Sequence, residues 1–444
     1  MKRTIYAKLL EWKDAAARSP LILKGTRQVG KSYILQAFGE NEFSGYHTFN
    51  FEKDKKLSTV FESDLHPERI LTELSIYSGK RIDIAKDLVI FDEIQECPGA
   101  LTSLKYFCEK MPQLALCCAG SLIGIKLSSG SFPVGKVDFM KLYPLNFEEF
   151  LMALDDEISL ELYRDSDKVD SFSEIAHQRL WNRLREYYVT GGMPQVVSTY
   201  LSYRDDLFEA MKRARGVQEK LVESYNNDFA KHSGKINSIN IVSVFENVPV
   251  QLSANIDVSV KKYRFKGVIP RKKGYAELQG PIAWLEKSGL ILKVKVCKRA
   301  EMPLESFCRE NMFKLFLFDI GLLGCMLDLP VSLIKSQDYG IAKGYFAENF
   351  VAQEFAASGV SRLYSWTEGT SEIEFIRVID DALVPVEVKS GTRTQAKSLR
   401  QYILKYSPKR AIKVSGKPLS RIRNQVIHNY PLYLAAKIGN RVHL

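Results

Sequence analysis

Gly25-Thr26-Arg27-Gln28-Val29-Gly30-Lys31-Ser32 is the stretch that most constrains what this chain can fold into. An apolar run, Leu21-Ile22-Leu23, leads into it, and a helical pattern, Tyr33 to Phe38, leads out. Strand, glycine loop and helix in that order are what a phosphate-binding P-loop requires. The backbone N–H groups of such a loop surround phosphate oxygens at a helix N-terminus, where the helix dipole favours negative charge. Gly25 and Gly30 permit the backbone angles and the close approach. Lys31 is placed to reach the β- and γ-phosphates, and the Ser32 hydroxyl to sit on Mg²⁺. The expected nucleotide-binding residues are therefore Gly25, Thr26, Arg27, Gln28, Val29, Gly30, Lys31, Ser32 and Tyr33, with ATP and Mg²⁺ as the cofactors.

A second motif supports the first. Asp87-Leu88-Val89-Ile90-Phe91-Asp92-Glu93 is a continuous apolar run ending in two acids. This suits a buried parallel strand that delivers carboxylates at its C-terminal end, where ligands bind in open α/β sheets. Asp92 is the expected Mg²⁺ ligand, directly or through water, and Glu93 the general base for the attacking water. A third apolar run, Leu114 to Ala119, ends in Gly120-Ser121. Ser121 either orients the water or senses the γ-phosphate from a neighbouring strand tip, or else caps a helix.

The P-loop, the LVIFDE strand and the CCAGS strand, followed by Tyr143-Pro144-Leu145-Asn146-Phe147-Glu148-Glu149-Phe150, resemble a large bacterial and archaeal group of AAA-type ATPases. That group carries a C-terminal domain of uncertain function. The resemblance implies a Gly-Arg pair shortly before the Pro-Leu-x-Phe-x-Glu-Phe segment. Here the pair is Gly135-Lys136, which keeps the charge and loses the planar guanidinium fork. Lys136 is the corresponding catalytic candidate. The resemblance also implies a helical lid whose Gly-x-Pro places a proline on the adenine. In this sequence that proline is Pro194, in Gly191-Gly192-Met193-Pro194, a run that equally serves as a helix stop. It further implies an apolar helix running from Asn311 into Asp319-x-Gly321-Leu322-Leu323.

At 444 residues the chain should hold about three domains. Patterning divides it into a P-loop core over 1–155, a helical lid over 156–235, a winged-helix-like unit over 236–300 and a last α/β unit over 301–444. The formal net charge of +11 suggests a polyanionic partner only if the basic residues are gathered on a surface. Seven scattered cysteines without Cys-x-x-Cys spacing fit reduced thiols in a cytoplasm and give no zinc site. Phe313 to Ile334 is apolar but interrupted by Lys314, Asp319 and Asp328, so it reads as core and not as a membrane span.

Two basic stretches stand out. Lys261 to Lys273 holds seven basic residues and two aromatics with no acid. Val388 to Leu444 holds thirteen Lys or Arg and no Asp or Glu, yet apolar residues interrupt it throughout, so it folds. Both suit phosphate contacts. Near the second, Ile373–Ile379 and Ala382–Ser390 read as two strands joined by Asp380-Asp381, so that paired positions sum to 761. Glu374 then faces Glu387, Glu372 faces Lys389, and all four share one sheet face. With Glu348 from a helix, Glu374 and Glu387 could hold Mg²⁺ while Lys389 steadies a phosphoryl group. This order of acid, then Glu387-Val388-Lys389, resembles the restriction-endonuclease-like class, in which the first acid is often Asp. The expected function is an ATPase coupled to a nucleic-acid-binding, nuclease-like domain, with DNA ahead of RNA. The rival is an ATPase that remodels or signals through protein partners. Membrane is not an expected partner, and the choice between a homo-oligomeric ring and a monomer stays open.

Overall fold

The computed structural model describes residues 1–121, 132–254, 262–336, 342–391, 396–422 and 425–439. They form two units, Met1–Tyr143 and Pro144–Leu444.

In the first unit five strands pair in parallel: β1 (Leu21–Lys24), β2 (Gly45–Asn50), β3 (Asp87–Asp92), β4 (Ala115–Gly120) and β5 (Asp138–Lys141). Their order is β2-β3-β4-β1-β5. Every residue of β3 and β4 is buried, which is why both read as unbroken apolar runs rather than alternating ones. Phe91 of β3 meets Phe49, Phe51, Phe61 and Phe107 edge-to-face at centroid separations of 5.5 to 6.3 Å. These contacts fix one side of the sheet, and the carboxyl ends of β1, β2, β3 and β4 reach the same edge.

The second unit begins with helices, among them Phe147–Ala153, Glu157–Arg164, Glu174–Thr190, Pro194–Ser202, Leu207–Ser233 and Lys235–Ala254. A seven-stranded sheet follows: β6 (Ile291–Cys297), β7 (Cys308–Leu317), β8 (Leu363–Glu368), β9 (Ser371–Ile379), β10 (Ala382–Val388), β11 (Ala411–Ser415) and β12 (Ile427–Pro431). Its order is β12-β11-β10-β9-β8-β6-β7, and the helix Ala342–Ala357 packs across it. The helix Tyr275–Ser288 buries Leu278, Ile282, Trp284 and Leu285, the stripe its sequence spacing marks out.

One expectation is corrected here. The apolar segment expected as a helix before Asp319 is strand β7 up to Leu317, and the helix starts only at Ile320, capped by the Asp319 side chain. Phe313–Leu317 is buried throughout, so no periodicity separates strand from helix in this run. β6 pairs with β7 antiparallel and with β8 in parallel. No helix among the described residues is long and apolar enough to cross a membrane.

Candidate active site

The loop after β1 has the geometry its sequence predicts. Gly30 sits at φ 93° and Gln28 at φ 66°, left-handed conformations that turn the loop around a small volume. A Cβ on Gly25 would lie 2.4 Å from the Leu142 carbonyl oxygen, so only glycine fits against that backbone. Lys31 is buried, and its Nζ donates to the carbonyls of Gly25 at 3.0 Å and Thr26 at 2.8 Å. Burial pulls its pKa down to about 8, against the pull of Glu93 and Asp92 in the other direction. Thr26 carries a buried hydroxyl that finds no partner among the described residues. A buried ammonium held only by loop carbonyls beside an orphaned hydroxyl is a cradle that fits phosphate oxygens. Val29 is fully buried, Tyr33 is exposed, and Arg3 ties the loop down by donating to the Val29 carbonyl at 3.0 Å.

Ser32 Oγ lies 3.0 Å from each carboxylate oxygen of Asp92. Asn50, at the end of β2 and opposite Asp92 in the ladder, donates to Asp92 Oδ2 at 2.8 Å. Hydroxyl and carboxylate oxygens converging at the loop are the donor set Mg²⁺ prefers, so these residues fit the ion. Glu93 follows in a left-handed conformation at φ 48°, which lifts its side chain off the strand direction. Its carboxylate accepts from Gln95 and, at 3.4 Å, from Ser121 Oγ. Arg27 Nε donates to the same Ser121 hydroxyl at 3.3 Å, and Arg27 Nη2 lies 3.9 Å from Glu52. Ser121 therefore connects the P-loop arginine to Glu93. Sequence reasoning missed Asn50 and Gln95. Asn50 could have been found, since the end of a strand neighbouring β3 must face the same crevice.

Lys136 is not brought to this cluster. It precedes β5, whose first residue pairs with Leu21 at the start of β1, on the sheet edge opposite the P-loop. Its Nζ pairs with Glu109 at 3.2 Å on the surface. Pro194 opens the helix Pro194–Ser202 in the second unit. The glycines before it serve packing: Gly192 N donates to Asp319 Oδ2 at 2.7 Å, and a Cβ on Gly192 would come 1.9 Å from the Leu145 carbonyl oxygen.

In the second unit the β9–β10 hairpin pairs with the expected register, Ala382 with Ile379 through Val386 with Phe375. Asp380 and Asp381 both take positive φ, 48° and 58°, as a tight two-residue hairpin turn demands. Lys389 Nζ reaches Glu387 Oε1 at 3.0 Å and Glu374 Oε1 at 3.5 Å, and the Val388 N–H donates to Glu374 Oε2 at 3.0 Å. Glu372, expected opposite Lys389, pairs with Lys314 of β7, which also lies 3.6 Å from Glu348. Burial raises the Glu374 carboxyl to about 7, with Lys389 opposing the rise and Glu348 adding to it. The Lys314 ammonium, which burial alone would discharge, is held charged by Glu372, Glu348 and Glu374. Among the described residues no group of three or more His, Cys, Asp or Glu is arranged to hold a metal ion. Two ammonium groups, Lys314 and Lys389, stand among the expected donors Glu348, Glu374 and Glu387 in this arrangement. Lys314 was legible only as an interruption in an apolar run.

The basic stretches are part exposed and part built in. Lys262, Arg264, Lys266, Arg271 and Lys273 are exposed, whereas Tyr263 is buried and packs with Phe265 on Phe313. Lys261, Arg393, Arg423 and Arg441 lie outside the described residues. Lys397, Arg400, Lys409 and Lys417 are exposed, but Arg421 donates to the Val169 carbonyl at 2.7 Å and Lys437 pairs with Asp167 at 3.4 Å.

Comparison with known proteins gives three family models. An AAA domain matches residues 17–151, a domain of unknown function (DUF8612) matches 182–332, and a second domain of unknown function (DUF4143) matches 343–433. Residues 17–151 are thus a P-loop AAA-type ATPase domain. No curated protein matches the chain. Among solved structures, PCH-2 of C. elegans is similar at 14% identity and a TM-score of 0.27, covering 50% of this chain and 65% of that one. Drosophila ORC bound to DNA is similar at 13% identity and a TM-score of 0.25, covering 73% of this chain and 94% of that one. At these scores neither likeness bears on function. The chain spans 65% of the length of PCH-2.

Proposed function

We propose that the chain hydrolyses ATP and couples its nucleotide state to nucleic-acid binding by the second unit. The observation that carries hydrolysis is the convergence of Lys31, Ser32, Asp92 and Glu93 at one edge of the parallel sheet. Lys31 and the loop N–H groups would hold the phosphates, and Ser32 and Asp92 the Mg²⁺, which when bound neutralises charge on the β- and γ-oxygens. Asn50 keeps the Asp92 carboxylate turned toward Ser32. Glu93 takes the proton of the attacking water, and Ser121 with Gln95 fixes its carboxylate for that step. Arg27, anchored on Ser121, puts a guanidinium beside the loop. Pro194 packing on the adenine belongs to the same reading.

The nucleic-acid part rests on the exposed lysines and arginines of 262–273 and 397–417, with DNA ahead of RNA. The Glu374, Glu387 and Lys389 hairpin enters this reading as part of a restriction-endonuclease-like fold used for binding rather than cleavage, its carboxylates paired with Lys389 and, through Glu348, with Lys314. One observation favours the rival reading of a protein-remodelling ATPase: Arg421 and Lys437 are engaged in internal contacts, which thins the basic surface.

Phosphate release and nucleotide binding by two variants test the hydrolytic assignment. Lys31→Ala should weaken ATP binding, because a buried phosphate-facing charge is removed. Glu93→Gln should bind ATP normally and lose at least about 100-fold in turnover, the usual weight of a general base. Wild-type turnover in Glu93→Gln moves the base elsewhere.

A further inference from the structure

A second basic site lies on the helix Glu174–Thr190, in a cavity of about 460 Å³ lined by Arg179, Asn182, Arg183, Arg185, Glu186 and Lys335. No lining side chain is apolar or aromatic, which is the reverse of an ordinary organic-ligand pocket. Its construction is specific. Asp156, only 6% exposed at its side chain, accepts from Arg179 Nη2 at 2.5 Å and from Arg183 Nε at 2.7 Å. Ser159 holds Asp156 from behind, donating from its hydroxyl at 2.8 Å, and takes Arg179 Nε at 2.9 Å. Glu186 is likewise turned inward: Oε1 takes Arg183 Nη1 at 2.7 Å, and Oε2 takes the Tyr200 hydroxyl at 3.0 Å with Arg204 at 3.9 Å. Arg185 donates to the Lys335 carbonyl. Both acids are thus consumed underneath, and two guanidiniums are locked in orientation at four-residue spacing, about 6 Å along the helix. Four cations, Arg179, Arg183, Arg185 and Lys335, stand against two acids, Glu186 in the lining and Asp156 beneath it.

We propose that this cavity is a phosphate-binding site that grips successive phosphodiesters of a nucleic-acid strand without reading its bases. Arg179 and Arg183 each spend two donor nitrogens on Asp156, Ser159 and Glu186, which fixes the direction of the N–H groups left over for phosphate oxygens. Walls without an aromatic or apolar surface have nothing on which to stack a base, so the ligand is recognised by its charge repeat alone. Neither of the two basic stretches read from the sequence includes these residues. The inference rests on the nucleic-acid reading above and assigns it a built site.

The test uses the full chain, wild type and Arg185→Gln with Lys335→Gln, two changes that leave the Asp156 clamp intact. Fluorescence anisotropy with mixed-sequence single-stranded and duplex DNA is followed across a salt series. Removing these two charges should lower the log–log salt slope by about 1.8 for duplex and about 1.4 for single strands, with about a thirtyfold weaker duplex affinity at 0.15 M salt. The reduction should be equal for every sequence tried. Wild-type binding with an unchanged slope in a folded variant overturns the pocket and leaves the general reading standing. Absence of wild-type binding to any DNA or RNA overturns both. Inorganic tripolyphosphate that raises the melting temperature of wild type but not of the variant, without competing for DNA, overturns the polymer assignment. Should the double variant fail to fold, Lys335→Glu alone serves with the same readouts.

Discussion

Glu354 lies fully buried, and burial pushes its carboxyl up to about 8 while the Phe147 N–H opposes the rise and Glu149 adds to it. Oε1 accepts that N–H at 3.1 Å, and Oε2 finds no partner among the described residues. A folded-state value above the ordinary 4.5 means that the folded chain keeps this proton where the unfolded chain has released it. The stability it contributes is complete below about 4.5 and drains away as pH rises through about 8. Asp319, pushed up to about 6 by burial, adds a smaller effect of the same sign at lower pH. Glu354→Gln keeps the shape and the acceptor and cannot ionise. Its melting temperature should exceed wild type by roughly 3–6 °C at pH 9 and match it near pH 5. Parallel melting curves at both pH values would discard the idea. Neither acid was legible in the sequence as a structural switch, because each acts on a backbone group more than 100 positions away, Phe147 for Glu354 and Gly192 for Asp319. The P-loop residues were legible because their partners follow within a few positions or lie at the ends of adjacent strands. The place of Lys136 was not legible, because charge in a motif says nothing about which end of the sheet it reaches.

At the scale of elements, the β9–β10 hairpin could be read register and all, because Asp380-Asp381 between two β-rich runs leaves little choice of turn. Strand β7 could not, since a run buried on both faces has no alternation to mark it as a strand. That error hid the most unusual group in the second unit. Lys314 projects from β7 into Glu348 and Glu372 with 5% of its side chain exposed, and the cluster coheres because opposite charges are buried together. Removing one member should leave carboxylates buried without a cation. Lys314→Met should therefore cost about 3–5 kcal/mol in denaturant unfolding, while Lys314→Met with Glu348→Gln and Glu372→Gln should recover most of it. A single variant as stable as wild type would show that the ammonium contributes nothing to holding these elements. The same cluster argues that millimolar Mg²⁺ leaves the stability of the second unit unchanged, because its carboxylates already have their cations.

For the whole molecule, a net charge of +11 matters through where it is displayed. The segment 262–273 shows charge to solvent and hides its aromatic rings: Tyr263 stacks on Phe313 at 6.2 Å, and Phe265 meets Tyr275 at 5.5 Å. Base stacking is excluded for the buried Tyr263 ring, while the half-buried Phe265 ring is already packed on Phe313 and Tyr275, and what the segment chiefly shows to solvent is ammonium and guanidinium groups. Binding through such groups must be sequence-independent and driven by counterion release. Replacing Lys262, Arg271, Lys272 and Lys273 with glutamine should reduce the log–log salt slope by about 0.9 for each duplex phosphate that is no longer neutralised, up to about 3.6 for all four. ATP turnover measured without nucleic acid should stay at the wild-type rate, since these residues belong to the second unit and the P-loop to the first. If nucleotide state is coupled to binding, the wild-type slope should differ between ATP-bound Glu93→Gln and the nucleotide-free chain, and the quadruple variant should shrink that difference. Unchanged affinity and slope in the variant would assign the loop to solvent, and would move the burden of nucleic-acid contact to Lys397, Arg400, Lys409 and Lys417, whose side chains face water on the other basic stretch.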